Sequence, residues 1–421
     1  MFSLNKNSLS NYLSVFLTFF LYLSLLLGFI LGENSTGGAF ADYYNQKQIT
    51  SMFSKNFFDT LLNYDDLTTR HSPVLIIILS QLEQILFNDH IVRLFYLHFC
   101  LLLPYTFFKI LELKFRDSKE HKKALIFLSL IIFLSPTFRS LAIWPDSRII
   151  GLTFFAVSIF FFQKFLNTKK NKYIYKNILF YSVAAYFSPN FAVFSIFFVY
   201  KYFKSFGLSK KILKIVFLNL ILAIPAFYYI FYLDVNFLNK SGAINDDLVE
   251  NLFFNNIFNQ IFIIPTIFLF YFLPFYFLKI LVPFENYYKK TFIISLAIFF
   301  SGVYFFDYSL TYTGGGIFFK ISHFIFDNNF LFYFFVLISL IVIINFSIDN
   351  IDNFLIFILL ILSNPQITIY HKYYDPLLIV LFFSIFSLKI NKENLLINKN
   401  LFFLYFYFLI FLFINILKKS L

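Results

Sequence analysis

The sequence predicts an all-α fold, a polytopic bundle of about thirteen transmembrane helices. Of the 421 residues, 60% are hydrophobic and only 13% are charged, proportions that are foreign to a soluble protein of this length. Apolar stretches recur along almost the whole chain, and most approach the ~20 residues that a helix needs to cross the hydrocarbon layer. Lysine clusters lie between them. The membrane is therefore the expected solvent for most of the chain.

The lysine clusters predict how the helices are oriented. The apolar stretches are 11–31, 93–111, 149–165, 215–233, 258–280, 330–346 and 401–417, and the clusters lie at 109–123, 164–176, 201–214, 279–290 and 389–399. Cytoplasmic loops of membrane proteins are enriched in Lys and Arg, so these clusters are expected inside and the C-terminus outside. This topology accounts for the net charge of +12, and no nucleic-acid partner is expected.

The first outer loop, residues 32–72, is predicted to carry surface helices. Residues 43–62 place apolar side chains at helical spacing with polar ones between them. The next segment, 73–88, is short for a crossing and is interrupted by two glutamines and a glutamate. Both segments are expected to be amphipathic helices that lie in the outer interface.

A short helical hairpin is predicted farther along the chain. Residues 173–204 lie between two lysine clusters that are both expected inside, so this segment has to go out and come back. Ser188-Pro189-Asn190 stands at its middle, and a proline with two turn-forming neighbours ends one helix and begins a reversal. The hairpin is therefore expected to turn at these residues.

The polar residues of the predicted outer face are concentrated in five short stretches: 42–46, 64–73, 135–148, 313–323 and 370–376. Polar groups at membrane depth are expensive, so such a gathering is expected to line a water-filled cavity or site. A carboxylate beside cations suits displacement at a sugar carbon, because it takes the acceptor's proton while the cations stabilise a departing phosphate. The candidate catalytic residues are Asp42, Asp66 and Asp146, and the candidate phosphate-binding residues are Arg70, His71, Arg139, Arg148, Lys320, His371 and Lys372.

Several of these residues also have a purely structural interpretation. Asp42 is of a type that caps helices, and Asp66 is of a type that forms turns. Arg139 and Arg148 are suited to anchoring the protein by reaching towards lipid phosphates. The glycines at 314–316 are more typical of a flexible loop than of a phosphate-binding loop, because no strand-to-helix context surrounds them.

No metal site is predicted from the histidines. His71, His323 and His371 lack the spacing of a zinc site. The proposed displacement requires no cofactor, although a divalent metal such as Mg²⁺ or Mn²⁺ is compatible with it. The single cysteine, Cys100, lies in an apolar stretch and is expected to be a packing residue.

The pattern resembles the GT-C superfamily of membrane glycosyltransferases, which take sugars from polyprenyl-phosphate carriers. Asp42 follows the first predicted helix, where that superfamily has its catalytic acid, and Thr68 to Leu75 resembles a proline-containing motif of its first outer loop. Ser135-Pro136-Thr137-Phe138-Arg139, with Asp146 beyond it, is similar to its next outer motif. Tyr43 stands where the glucosyltransferase branch has a second acid. The resemblance covers the first half of the chain.

The resemblance implies a GT-C-like membrane module over 1–215, with the outer loop 32–72, and a variable transmembrane module over 216–421. It implies an inverting hexosyl or pentosyl transferase that works on the extracytoplasmic face of a bacterial inner membrane or, alternatively, of the endoplasmic reticulum. The expected partners are a polyprenyl-phosphate sugar, a lipid-linked or cell-surface glycan acceptor and membrane lipids. The alternatives are a flippase or transporter of lipid-linked saccharides and an O-antigen ligase or polymerase.

Overall fold

The computed structural model describes residues 6–67, 69, 71–115, 121–233, 256–282, 288–312, 314–348, 350–364 and 366–420. Within these ranges the chain is almost entirely helical, which confirms the predicted all-α class. The exception is a ribbon of two-residue strands, β1 (Leu281–Val282) and β2 (Lys389–Ile390), which pair antiparallel with Leu281 opposite Ile390. The Arg70 side chain, a candidate phosphate contact, lies outside the described residues.

The first part of the chain forms nine α-helices and two 3-10 turns. The turns are Tyr64–Leu67 and Ile131–Leu134. The helices are α1 (Lys6–Ile30), α2 (Ala39–Lys55), α3 (Phe57–Leu62), α4 (Pro73–Leu86), α5 (Asp89–Cys100), α6 (Leu102–Lys114), α7 (His121–Leu130), α8 (Pro136–Ile143) and α9 (Ser147–Thr168).

The rest of the described chain continues the helical pattern. Two further 3-10 turns lie at Pro189–Phe194 and His371–Tyr373. The helices are α10 (Lys172–Phe187), α11 (Ser195–Phe206), α12 (Lys210–Phe231), α13 (Ile257–Phe277), α14 (Tyr288–Phe305), α15 (Gly316–Phe326), α16 (Phe330–Ser347), α17 (Ile351–Leu362), α18 (Leu377–Phe382), α19 (Lys392–Leu396) and α20 (Asn398–Ser420).

Six stretches of the described chain are long and apolar enough to cross a membrane as helices. They are Asp89–Lys114, Ser147–Thr168, Lys210–Phe231, Ile257–Phe277, Phe330–Ser347 and Asn398–Leu417. A seventh is the bent pair Lys122–Leu134 and Pro136–Ile143, which meet at 65°. The expected thirteen crossings are not confirmed, because other apolar helices, such as α15 and α17, are shorter than a full crossing. These spans indicate a polytopic membrane protein.

The helical hairpin predicted at 173–204 is confirmed. Helices α10 and α11 run antiparallel, since Tyr202 donates to Asn177 at 2.8 Å and the rings of Tyr181 and Phe198 lie 5.9 Å apart. The turn between them begins at Ser188, and Pro189 is the first residue of the 3-10 segment. Both partners pack against α9.

The surface helix predicted over 43–62 is broken in two. Asn56 has a non-helical backbone conformation, and its side chain accepts a hydrogen bond from the Asp59 amide. It therefore ends α2 and caps the start of a separate helix, α3. The buried side of α2 comprises Ala39, Tyr43, Gln46, Ile49, Thr50 and Phe53, whereas Tyr44 and Phe58, expected on the apolar face, are exposed. Helix α4 is present as predicted and packs on α2, where Ser54 and Ser80 share a 2.8 Å hydrogen bond.

Candidate functional site

Asp42 and Lys372 form an ion pair that joins the start of α2 to the 3-10 turn His371–Tyr373. The Lys372 Nζ atom lies 2.9 Å from Asp42 Oδ2. Asp42 is in the first turn of α2, but Gly38 occupies the N-cap position, so the carboxylate does not serve as the cap. A Cβ atom on Gly38 would come within 3.7 Å of the same carboxylate oxygen. One third of the Asp42 side chain is exposed, which leaves it reachable by a ligand.

Asp146 and Arg148 approach this pair from the start of α9. Asp146 is the N-cap of α9, where its carboxylate accepts from the Arg148 amide at 2.7 Å, and it is buried. The Tyr96 hydroxyl fixes the same turn by accepting from the Asp146 amide and donating to its carbonyl. The Arg148 guanidinium lies over the Tyr373 ring at 3.7 Å.

The Arg148 guanidinium has unused donors in the protein. Its Nε and Nη1 atoms are buried and make no hydrogen bond to the part of the chain that the structure describes. Buried polar groups are nearly always bonded, so donors left over beside a ligand site are suited to an anion. Arg148 and Lys372 thus place two cations side by side.

His71 completes the group. Its backbone is held by the Tyr64 hydroxyl, which donates to the His71 carbonyl at 2.7 Å. Burial lowers the pKa of His71, and the nearby Arg148 and Lys372 lower it further, against the opposite effect of Asp146 and Asp42. The imidazole is therefore neutral near pH 7. The Asp42 cluster, as we name this group, consists of Asp42, His71, Asp146, Arg148 and Lys372.

Within the Asp42 cluster, the opposite charges stabilise the charged forms of Asp146 and Lys372. Burial by itself would raise the pKa of Asp146, but Arg148, His71 and Lys372 hold it below its usual value. Burial and the nearby Arg148 act to lower the pKa of Lys372. The carboxylates of Asp42 and Asp146 act in the opposite direction, and the net effect is a raised pKa. The Asp146 carboxylate and the Lys372 ammonium group are therefore both charged near neutral pH. A cluster of this kind can bind a phosphate and still offer a carboxylate to a hydroxyl group.

Three further candidates lie apart from the Asp42 cluster. Asp66 is exposed on the 3-10 turn after α3. Lys320 is exposed on α15. The His371 imidazole points away from its neighbour Lys372 and shares a 2.8 Å hydrogen bond with the Tyr271 hydroxyl. The 3-10 turn thus directs two adjacent basic residues to different surroundings.

The Arg139 guanidinium forms hydrogen bonds and an ion pair with other residues of the protein. Its guanidinium donates to both carboxylate oxygens of Glu33, with the shortest contact at 2.6 Å, and to the Ser24 hydroxyl and carbonyl. Only 6% of the Arg139 side chain and 11% of the Glu33 side chain are exposed. Gly28 provides the space, since a Cβ atom there would lie 2.4 Å from Glu33 Oε2. Arg139 therefore joins α8 to the end of α1.

Sequence reasoning missed Glu33 and Arg93. Glu33 follows the first apolar stretch after one glycine, and a lone acid at the end of an apolar stretch was the available signal. Arg93 is the first residue of the apolar stretch 93–111, is buried, and stacks on Trp144 at 3.6 Å while donating to the Ile143 carbonyl. An arginine in an apolar run is itself a signal of a buried polar contact.

Asp375 and the triple glycine position the segment that carries Lys372. The Asp375 carboxylate accepts from the Ser135 hydroxyl at 2.7 Å and the Thr137 amide at 3.1 Å, so it joins two of the predicted outer stretches. Gly315 donates its amide to the Ile369 carbonyl at 2.9 Å. All three glycines have positive φ, and a Cβ atom on Gly314 would lie 2.6 Å from the Ile369 oxygen. The glycines form a tight backbone contact.

Within the described ranges, no three His, Cys, Asp or Glu side chains converge in a way that could hold a metal ion. Comparison with protein-family models and with curated protein sequences finds no match to this chain.

Proposed function

We propose that the chain is an inverting membrane glycosyltransferase that moves one hexose or pentose from a polyprenyl-phosphate donor to a lipid-linked or cell-surface glycan. The Asp42 cluster carries this proposal, because it puts a reachable carboxylate beside two cations at one end of an apolar helical bundle. The GT-C resemblance of the first half of the chain gives the donor class. The working face would be the extracytoplasmic one, in accord with the lysine distribution.

In the proposed reaction, Asp42 is the general base. The acceptor hydroxyl attacks the anomeric carbon, its proton passes to the Asp42 carboxylate, and the bond between that carbon and the phosphate oxygen breaks. The leaving phosphate keeps the electron pair of that bond. A single displacement inverts the configuration at the anomeric carbon.

The phosphate is assigned to Arg148 and Lys372. The free Nε and Nη1 atoms of Arg148 leave guanidinium donors for phosphate oxygens, and the stack on Tyr373 holds the guanidinium plane in place. Lys372 adds a second positive charge next to Asp42. Preorganised cations of this kind stabilise the negative charge that develops on the leaving group. Asp146 fixes Arg148 through the N-cap of α9 and so acts as a positioning residue.

Transfer of a radiolabelled sugar from polyprenyl phosphate tests the proposal. Asp42→Asn should reduce transfer by at least about a hundredfold at unchanged expression, because general base catalysis contributes roughly 10²–10⁴ in rate. Asp59→Asn is the matched control, since Asp59 is an exposed acid in the same outer loop and should keep full transfer.

Equal transfer by Asp42→Asn and the wild-type protein would remove Asp42 from the role of base. No transfer by the wild-type protein, together with movement of saccharide-lipid across liposomes, would contradict the proposal and favour a transporter.

A further inference from the structure

A cavity lies at the opposite end of the bundle from the Asp42 cluster. Its volume is about 240 Å³, and its wall includes Lys114, Gln163, Lys201 and residues 384–388. Arg148 and Gln163 are fifteen residues apart on α9, which separates the two sites by roughly 22 Å along the helix axis. The cavity is therefore independent of the proposed transferase site.

Lys114 is the main charge in this cavity. It stands at the end of α6, and its ammonium group donates to the carbonyls of Ser384 and Phe386 at 3.3 and 3.5 Å. No carboxylate in the described part of the chain pairs with it. The two carbonyls accept from two of the three ammonium hydrogens but do not neutralise the charge. A partly buried charge without a counter-ion is costly.

The other polar groups leave the cavity with a net positive charge. Lys201 is paired with Asp352 at 2.6 Å, so that charge is balanced. The Gln163 amide donates to the Ser384 carbonyl at 3.0 Å, which helps to fix the turn opposite Lys114. Phe162, Leu166 and Phe197 provide an apolar wall. An anion with an apolar neighbour fits these surroundings.

We propose that this cavity binds the phosphate headgroup of an acidic membrane lipid, with Lys114 as its counter-ion. The cavity lies between helices α6, α9 and α11, at the end where the lysine clusters predict the cytoplasmic face. Basic pockets in this position bind anionic lipid headgroups, and the apolar wall suits the start of the acyl chains. The assignment goes beyond the proposed transferase and does not depend on it.

Native mass spectrometry of the detergent-purified full chain, titrated with phosphatidylglycerol, tests the proposal. The wild-type protein should retain phosphatidylglycerol in preference to phosphatidylcholine, and Lys114→Gln should weaken retention about tenfold, because a charge-assisted bond to phosphate is lost. Lys114→Arg should retain the lipid. Lys172→Gln is the matched control, since Lys172 is exposed at the same end and does not line the cavity.

Leu388→Trp provides a second test that leaves every charge in place. Leu388 lines the cavity, so a larger side chain should fill it and reduce phosphatidylglycerol retention. Equal retention by the wild-type protein, Lys114→Gln and Leu388→Trp would overturn the proposal. Displacement of the lipid by an equal concentration of inorganic phosphate, still dependent on Lys114, would overturn the lipid as the source of the phosphate group.

Discussion

At the scale of single residues, Arg139 and Arg148 show how different two similar sequence candidates become in the folded chain. Both stand in the predicted outer stretch 135–148. Arg139 is bound on both sides by Glu33 and Ser24, whereas the Arg148 guanidinium stacks on Tyr373 and keeps buried donors without a partner in the described chain. Of these two arginines, Arg148 is the one whose guanidinium has donors left to bind a ligand.

Arg148→Gln should raise KM for the polyprenyl-phosphate donor, because hydrogen bonds to a charged phosphate are lost. A loss of ~1.5–3 kcal/mol corresponds to roughly a ten- to hundredfold change. Arg148→Lys should recover only part of the affinity, since an ammonium group keeps the charge but not the planar fork. The measurement is KM in the transfer assay, with the unfolding midpoint as a control. An unchanged KM in Arg148→Gln would remove the residue from donor binding.

His371 should make stability depend on pH. Burial lowers its pKa to about 3, with a further contribution from Lys320, while an unfolded histidine titrates near ~6.5. Because the folded pKa is the lower one, protons bind mainly to the unfolded chain as the pH falls below ~6.5. Stability should then fall by at most about 1.4 kcal/mol per pH unit, and it should not change through His371 above that pH.

His371→Gln tests this dependence. Glutamine keeps a hydrogen-bonding group near Tyr271 but does not titrate, so the decline in unfolding midpoint between pH 7 and pH 5 should become shallower in detergent solution. Part of the slope should remain, because His71 also has a lowered pKa. An identical slope in the variant would show that the His371 imidazole takes up its proton in the folded protein.

At the scale of elements, buried polar contacts join helices that are far apart in sequence. The Glu33–Arg139 pair joins the end of α1 to α8, and Asp375 joins the segment after α17 to the N-terminus of α8. Hairpin α10–α11, by contrast, rests on local aromatic and hydrogen-bond contacts. Local contacts follow from local sequence, whereas the long-range pairs depend on the packed bundle.

Arg139→Gln should destabilise the protein strongly. Breaking one side of a buried ion pair leaves Glu33 unpaired, which costs about 3–5 kcal/mol, while the double variant Glu33→Gln/Arg139→Gln should recover part of that loss. Denaturant unfolding in detergent measures the difference. If Arg139→Gln instead kept its stability and lost donor binding, Arg139 would be a phosphate contact and not a structural one.

At the scale of the whole molecule, the two polar sites lie at opposite ends of a bundle whose middle is apolar. Helix α9 connects them, with Arg148 at its first turn and Gln163 near its end. Its 22 residues rise about 33 Å, close to the ~30 Å thickness of the hydrocarbon layer. The Asp42 cluster and the Lys114 cavity are thus expected on opposite sides of the membrane.

Labelling with a membrane-impermeant maleimide tests this arrangement. The only native cysteine, Cys100, is buried and should give no background. Asn63→Cys, exposed in the first outer loop, should be labelled in intact cells, whereas Lys172→Cys, exposed beyond the far end of α9, should be labelled only after permeabilisation. Labelling of both cysteines from the same side would contradict the predicted orientation.

Much of the architecture was determined by the sequence itself. Hydropathy predicted the helical class, and Ser188-Pro189-Asn190 predicted the hairpin turn, because both depend on neighbouring residues. The Asp42–Lys372 ion pair brings two of the five predicted outer stretches together, whereas Asp66 and Lys320, in two other stretches, lie apart from it. The catalytic and binding roles of these residues stay predictions.

Tertiary structure alone decided which charge meets which. Asp42 and Lys372 are 330 residues apart, and nothing in the local sequence selects Lys372 over His371 as the partner. The 3-10 turn at 371–373 directs one side chain to Asp42 and the other to Tyr271. These ion pairs form between side chains at helix ends. The positions of the helix ends relative to one another are set only when all the helices have packed together.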